Sequence, residues 1–303
     1  MSGRHILITG ASGGLGAALA RHYAAPGVTL ALIGRHVERL ARVVHDCRAQ
    51  GAEVRLMVMD VRESADLHAL IARTDAELPV DTVIANAGVE ASLGPKGEAE
   101  PLEDVLAQVR TNFEGALATV QPLLDPMRAR GQGRIVLVAS LAGRMPLPDQ
   151  PTYSATKAGL IAYGDALRPV LAASGVSLTV ACPGFIATGM AETYRGWRPL
   201  EWSAERAAAK IARAADRGAR QVSFPFALAG LVALGRATPA VLREAVLRRL
   251  FAVEVHAPSR ARSADAYRGA TGDVPSAVPP ILPPLPEKNV VSREVEPENL
   301  TEN

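Results

Sequence analysis

Seven short runs rich in β-branched residues and leucine recur along the chain, at 5–9, 28–33, 54–59, 82–85, 135–139, 177–181 and 221–224. They are near-continuously apolar instead of alternating, which is the pattern of strands buried on both faces of a parallel sheet. Helix-length segments separate them, at 14–25, 37–50, 65–77, 102–130, 153–173 and 204–217. Strand followed by helix, repeated, predicts right-handed βαβ units and an α/β fold with a doubly wound parallel sheet. Ligands of such sheets bind beyond the carboxyl ends of the strands, so the residues that follow each strand carry the functional information.

The pattern changes after the last strand. Residues 221–235 are uncharged and apolar apart from Gln221 and Ser223, a stretch too short for the roughly 20 apolar residues that span a bilayer. Beyond it Val241, Leu242, Val246, Leu247, Leu250 and Phe251 are interleaved with Arg243, Arg248 and Arg249. That reads as a basic amphipathic helix, which lies on a membrane surface, packs on the body or packs on a second subunit. From 257 to the end, eight of the 22 prolines fall within 47 residues, a composition that predicts a disordered, partly polyproline II tail. The expected organisation is therefore a domain over 1–224, a C-terminal helical extension over 225–256 and a Pro-rich tail over 257–303.

Composition narrows the function classes. With 48% hydrophobic and 21% charged residues the chain is that of a globular protein. Its 33 basic and 31 acidic residues are scattered instead of striped, so nucleic acid is not an expected partner. Cys47 and Cys182 lie far apart with no CxxC or Cys/His spacing, which argues for buried small hydrophobes and against a zinc site or disulfide scaffold. The N-terminus enters the first strand without a long apolar leader, and the expected location is cytoplasmic, with peripheral membrane contact through 225–256 left open.

The first strand ends in Thr9-Gly10-Ala11-Ser12-Gly13-Gly14-Leu15-Gly16 and runs into an alanine-rich helix. Glycines at 10, 14 and 16 allow a tight turn and close backbone approach to a pyrophosphate, and the helix N-terminus favours its charge. A dinucleotide fold places the residue that meets the adenosine ribose at the end of the second strand. Here that position reads Gly34-Arg35-His36, with no carboxylate before Glu38. Arg35 either pairs with a 2′-phosphate, favouring NADP(H) over NAD(H), or is a solvated helix-start residue. Asp60 follows the third strand and Asn86-Ala87-Gly88 the fourth.

Ser140 follows the fifth strand, and thirteen residues later come Tyr153 and, four further on, Lys157. On a helix Tyr153 and Lys157 share a face, and a neighbouring ammonium is expected to lower the phenol pKa toward neutrality.

The glycine turn, Asn86-Ala87-Gly88, the strand-end Ser140 and the Tyr153–Lys157 pair, in this order and spacing, resemble the short-chain dehydrogenase/reductase family over residues 4 to 224. The resemblance implies a single Rossmann-type domain that transfers hydride between a nicotinamide cofactor and a carbonyl or alcohol. It implies a general acid/base at Tyr153, a hydrogen bond from Ser140 to the substrate oxygen, and Lys157 on the nicotinamide ribose. Asn112 matches the asparagine that holds a water in the family's proton relay. Pro183, Ile186 and Thr188 match the motif at the nicotinamide carboxamide. Asn86 would steady the sheet, Gly88 leave room for the ribose and Asp60 meet the adenine. With Gly10, Ser12, Gly14, Leu15, Gly16 and Arg35 these make the expected cofactor site; no metal is expected. Ala85 stands where many relatives have a second asparagine.

The expected activity is NADPH-driven reduction of an apolar or lipidic ketone or aldehyde; the alternative is a non-catalytic NADP(H)-binding sensor or scaffold. The resemblance also makes a homo-oligomer plausible. Residues 189–202 correspond to the family's substrate lid. There Met190, Tyr194, Trp197 and Trp202 either meet a flat apolar substrate or pack the lid onto the body, and Arg195 and Arg198 are candidates for an anionic substrate group.

Overall fold

The computed structural model describes residues 3–94, 97–189, 198–239 and 241–242, all within a compact unit spanning Met1–Gly272. Met190, Tyr194, Arg195 and Trp197 of the expected lid, the arginines of the expected amphipathic helix and the Pro-rich tail lie outside the described residues.

Seven parallel strands form the sheet: β1 (Arg4–Thr9), β2 (Val28–Gly34), β3 (Glu53–Val58), β4 (Thr82–Ala85), β5 (Gly133–Val138), β6 (Val176–Pro183) and β9 (Gln221–Phe224). Their spatial order is β3-β2-β1-β4-β5-β6-β9, every neighbouring pair parallel. The expected doubly wound parallel sheet is present, and each strand lies within three residues of its apolar run at either end. Ile6, at the centre of β1, faces Leu30 of β2 on one side and Thr82 of β4 on the other. The winding reverses between β1 and β4, which opens a crevice at their carboxyl ends.

Two apolar layers sandwich the sheet because successive side chains alternate between its faces. Ile6, Ile8, Leu30 and Leu32 pack with α1 (Gly14–Tyr23), α2 (Val37–Ala49) and α7 (Ala204–Asp216). Leu7, Ala31 and Ile33 pack with α3 (Ser64–Glu77), α5 (Gly115–Arg130) and α6 (Pro151–Ala172). The central aliphatics are wholly buried, and each contributes about 1.5–3 kcal/mol of transfer free energy. Cys47 and Cys182 are buried free thiols among them.

Two features depart from the pattern-based expectation. The single helix expected over 102–130 is α4 (Leu102–Gln108), a π-helical turn (Val109–Glu114) and then α5. β7 (Ile186–Ala187) and β8 (Trp202–Ser203) form a separate two-stranded parallel pair. After β9 the apolar stretch forms α8 (Phe226–Ala237), which turns Leu228 and Val232 into the body. No helix among the described residues is long and apolar enough to cross a membrane.

Candidate active site

A cavity of about 390 Å³ runs along the carboxyl ends of the strands, from Arg35 at one end to Tyr153, Leu228 and Val232 at the other. The turn after β1 forms its floor. Gly10 has φ +69°, a left-handed conformation, and a side chain there would meet the Ala87 backbone at 2.8 Å. At Gly16 a β-carbon would overlap the Gly10 carbonyl and lie 2.6 Å from Asn86 Nδ2. Helix α1 therefore starts directly against the strand ends. Its N-terminus has no side-chain cap and no acidic residue in the first turn, so its free N–H groups fit an anionic ligand, and Ser12, Gly14 and Leu15 line the cavity there.

Asn86 ties the switch point together. Its Nδ2 donates to the carbonyl oxygens of Thr9 (3.0 Å) and Gly10 (3.4 Å), and its backbone N–H donates to Thr9 Oγ1 (3.2 Å). Gly88 follows at a narrow place, where a β-carbon would lie 3.4 Å from Asn112 Oδ1 and 3.5 Å from Lys157 Nζ.

Positive charge gathers at the β2 end, where Arg35, His36 and Arg39 line the cavity. Burial, then the charges of Arg39 and Arg35, push the His36 pKa down. Arg35 lies 3.7 Å from Asp60, whose carboxylate is already gripped by Arg62 at 2.6 and 3.0 Å. Burial raises the Asp60 carboxyl, yet the hydrogen bonds and charge of Arg62, with Arg35 behind them, hold it below the ordinary value.

The opposite end carries the reactive groups. Ser140 caps a 3₁₀ turn (Leu141–Gly143), accepting from the Ala142 N–H at 3.1 Å, while its own hydroxyl also reaches a distant Pro183 carbonyl at 3.5 Å. Tyr153 and Lys157 project from α6 as their spacing predicts, with Lys157 Nζ 5.6 Å from the Tyr153 ring centre. Lys157 is 4% exposed and donates to the Val138 carbonyl at 2.9 Å. Burial pushes its pKa down to about 8, against the fields of Cys182 and Glu90. The expected lowering of the Tyr153 pKa by Lys157 does not hold in this structure. Burial and the Glu90 carboxylate raise the phenol, and only a hydrogen bond with Ser140 pulls it back. Spacing showed which face the pair shares; it could not show how far each group is desolvated.

Of the sequence-selected residues, Gly10, Ser12, Gly14, Leu15, Arg35, Asp60, Asn86, Gly88, Ser140, Tyr153, Lys157, Pro183, Ile186 and Thr188 line the one cavity. Gly16 and Asn112 do not. Asn112 is wholly buried, and its amide is committed to Val89 N–H and O, both at 2.8 Å, and to Thr156 Oγ1 at 3.2 Å. Its side chain therefore braces the segment after Gly88 instead of entering the cavity. Trp202 packs against the body, stacked on Phe224 at 4.9 Å with Arg206 over its other side at 3.8 Å, and Arg198 pairs with Glu201 at 2.9 Å. The residues missed are Arg39, Glu90 and the apolar wall of Met145, Leu147, Phe185, Leu228 and Val232. Only the four-residue spacing of Leu228 and Val232 gave a signal, and it lay beyond the expected boundary at 224.

The short chain dehydrogenase family model matches residues 4–199. This chain is a short-chain dehydrogenase, and hence an oxidoreductase by family. Among similar proteins, a ketoacyl reductase, HetN, of a Nostoc species is 37% identical over 63% of this chain, a match spanning 66% of that relative. An uncharacterized oxidoreductase of Myxococcus xanthus is 35% identical over 82% of this chain and 98% of its own. The crystal structure of an actinorhodin polyketide ketoreductase variant with NADPH superposes with a TM-score of 0.65 at 26% identity, covering 73% of this chain and 95% of that one.

Proposed function

We propose that this short-chain dehydrogenase binds NADP(H) and reduces an apolar ketone or aldehyde to the alcohol. One observation carries the reading: Ser140, Tyr153 and Lys157 meet at the apolar end of a cavity whose other end is lined by Arg35, His36 and Arg39. The uncapped N-terminus of α1 and the glycine-lined floor fit a pyrophosphate, and the two arginines fit a 2′-phosphate. NADPH in the similar ketoreductase structure supports the same assignment.

When bound, the dihydronicotinamide supplies the hydride. The protein's part is position and proton. Ser140 accepts from the Ala142 N–H, which fixes its oxygen at the cavity wall while its hydroxyl hydrogen can turn from Pro183 to a carbonyl oxygen. Tyr153, its pKa raised by burial, keeps its proton until the carbonyl oxygen takes on negative charge, and then delivers it. The Lys157 ammonium is poised to hold the ribose hydroxyls. Asn112 acts from behind, bracing Val89. Met145, Leu147, Phe185, Leu228 and Val232 exclude water around the reacting carbon, and they suit an acyl chain such as a ketoacyl reductase like the Nostoc relative would handle.

The test is NADPH consumption across ketosteroids, 3-oxoacyl thioesters, sphingoid ketones, quinones and keto sugars. Turnover of an apolar carbonyl is expected. Tight NADPH binding with silence across the whole panel would instead favour a dinucleotide-binding sensor. For cofactor choice, Arg35→Asp should weaken NADPH binding by about 10–100-fold, the worth of a charge-assisted hydrogen bond, and NADH binding far less. Equal losses would remove Arg35 from the 2′-phosphate.

A further inference from the structure

We propose that the outer face of α8 docks on an anionic lipid surface, placing the apolar end of the cavity beside the bilayer. The helix is apolar on both sides. Leu228 and Val232 face inward, 8% and 4% exposed, and line the cavity. Phe226, Leu231 and Leu234 face outward, 89%, 56% and 67% exposed, and Val241 and Leu242 just beyond are exposed as well. A surface helix normally carries polar residues on its outer face, and a cluster of bulky apolar side chains there marks an interaction site.

Charge selects the occupant. From Phe226 to Arg243 the charged residues are Arg236 and Arg243, followed by the single carboxylate of Glu244. The sequence then continues with Val246, Leu247, Leu250 and Phe251 among Arg248 and Arg249. Bulky apolar side chains with an excess of arginine over carboxylate are what interfacial binding to anionic lipid requires. Protein interfaces ring their apolar centre with hydrogen-bonding groups. Between 226 and 242 the only polar side chains are Arg236 and Thr238, and the Thr238 hydroxyl already donates to the Gly235 carbonyl at 2.7 Å. No helix among the described residues is long and apolar enough to cross a bilayer. The docking stands apart from the proposed reaction; its corollary, that an apolar carbonyl enters from the lipid past Leu228 and Val232, rests on that reaction.

The test is sedimentation of the full-length protein with vesicles of phosphatidylcholine alone or mixed with phosphatidylglycerol. The wild type should pellet with the anionic vesicles. A Phe226→Ser, Leu231→Ser, Leu234→Ser variant should lose at least about tenfold in partitioning while keeping its melting temperature and NADPH affinity. An Arg236→Gln, Arg243→Gln variant should lose the preference for anionic lipid. Wild-type protein that stays in the supernatant with both vesicles, or a serine variant that pellets equally, overturns the proposal. So does vesicle-free self-association that the serine variant abolishes, since a second copy would then cover the face. Normal vesicle binding with no turnover of any carbonyl would leave the docking intact and sink the proposed reaction.

Discussion

Lys157 and Tyr153 show how burial governs the chemistry of single residues. Lys157 is buried and Tyr153 is half-buried in the cavity wall, so each pKa moves toward its neutral form, the lysine down to about 8 and the phenol up. Tyr153 therefore stays protonated through the physiological range, and Lys157 is the group that titrates. As pH rises through about 8 the ammonium is lost, so kcat/KM for NADPH, which reports the free enzyme, should be level below that pH and decline above it. A profile still level two units higher would contradict the assigned role of Lys157. Asp149 gives a second prediction. It is 7% exposed, and both of its carboxylate oxygens lack a hydrogen-bond partner. Burial raises its pKa, against its own backbone N–H. A raised native pKa means the folded state binds the proton more tightly, so stability falls as pH rises from the ordinary value of 3.8 through the raised one. Asp149→Asn should accordingly raise Tm at pH 7 by about 2–4 °C, the shift that about 1 kcal/mol makes in a domain this size, and the gain should shrink toward acid. A lower Tm at pH 7 would show that the carboxylate has a stabilising partner. At this scale the sequence was legible where chemistry depends on residue type and spacing, as with Tyr153 and Lys157. It was silent on desolvation, which depends on what packs above each group.

Among the elements, the strands were legible because burial on both faces writes an unbroken apolar run, and six helices were legible from their length and place between strands. The π-helical turn was not. Residues 109–114 have an ordinary helical composition, and what widens the backbone is tertiary: Asn112 hooks onto Val89, and Gly115 comes so close to Val61 that a β-carbon would lie 2.8 Å from its side chain. A similar close approach fixes the reactive end. A β-carbon on Gly143 would sit 2.5 Å from the Lys157 carbonyl carbon and 2.7 Å from the Ala158 nitrogen, so the turn that carries Ser140 rests directly on the α6 backbone that carries Lys157. Gly143→Ala should therefore destabilise the fold by about 1–3 kcal/mol by overpacking. It should also lower kcat more than it raises KM for NADPH, since it separates Ser140 from Tyr153 without touching the glycine floor. Unchanged kcat with normal stability would show that the contact yields without displacing Ser140.

At the scale of the whole molecule the sheet order decides what the cavity can do. Reversal of the winding between β1 and β4 opens a crevice, and the register of β1 with β2 and β4, and of β4 with β5, brings Arg35, Asn86 and Ser140 to its rim although they are far apart in sequence. The result is a trough, cationic where β2 ends and apolar where α8 closes it, with Tyr153, the proposed proton donor, toward the apolar end. The alternating strand and helix pattern was enough to predict the trough, but its apolar wall came from α8, a segment whose uniform apolarity says only that it is buried or sticky. The central claim is that this trough transfers hydride with Tyr153 as proton donor. The most direct measurement compares NADPH affinity and single-turnover NADPH oxidation for the wild type and Tyr153→Phe, using a carbonyl that the wild type reduces. The account predicts unchanged affinity and a rate lowered by about 10²–10⁴-fold, the usual worth of a positioned general acid. A Tyr153→Phe protein that turns over at the wild-type rate would contradict it.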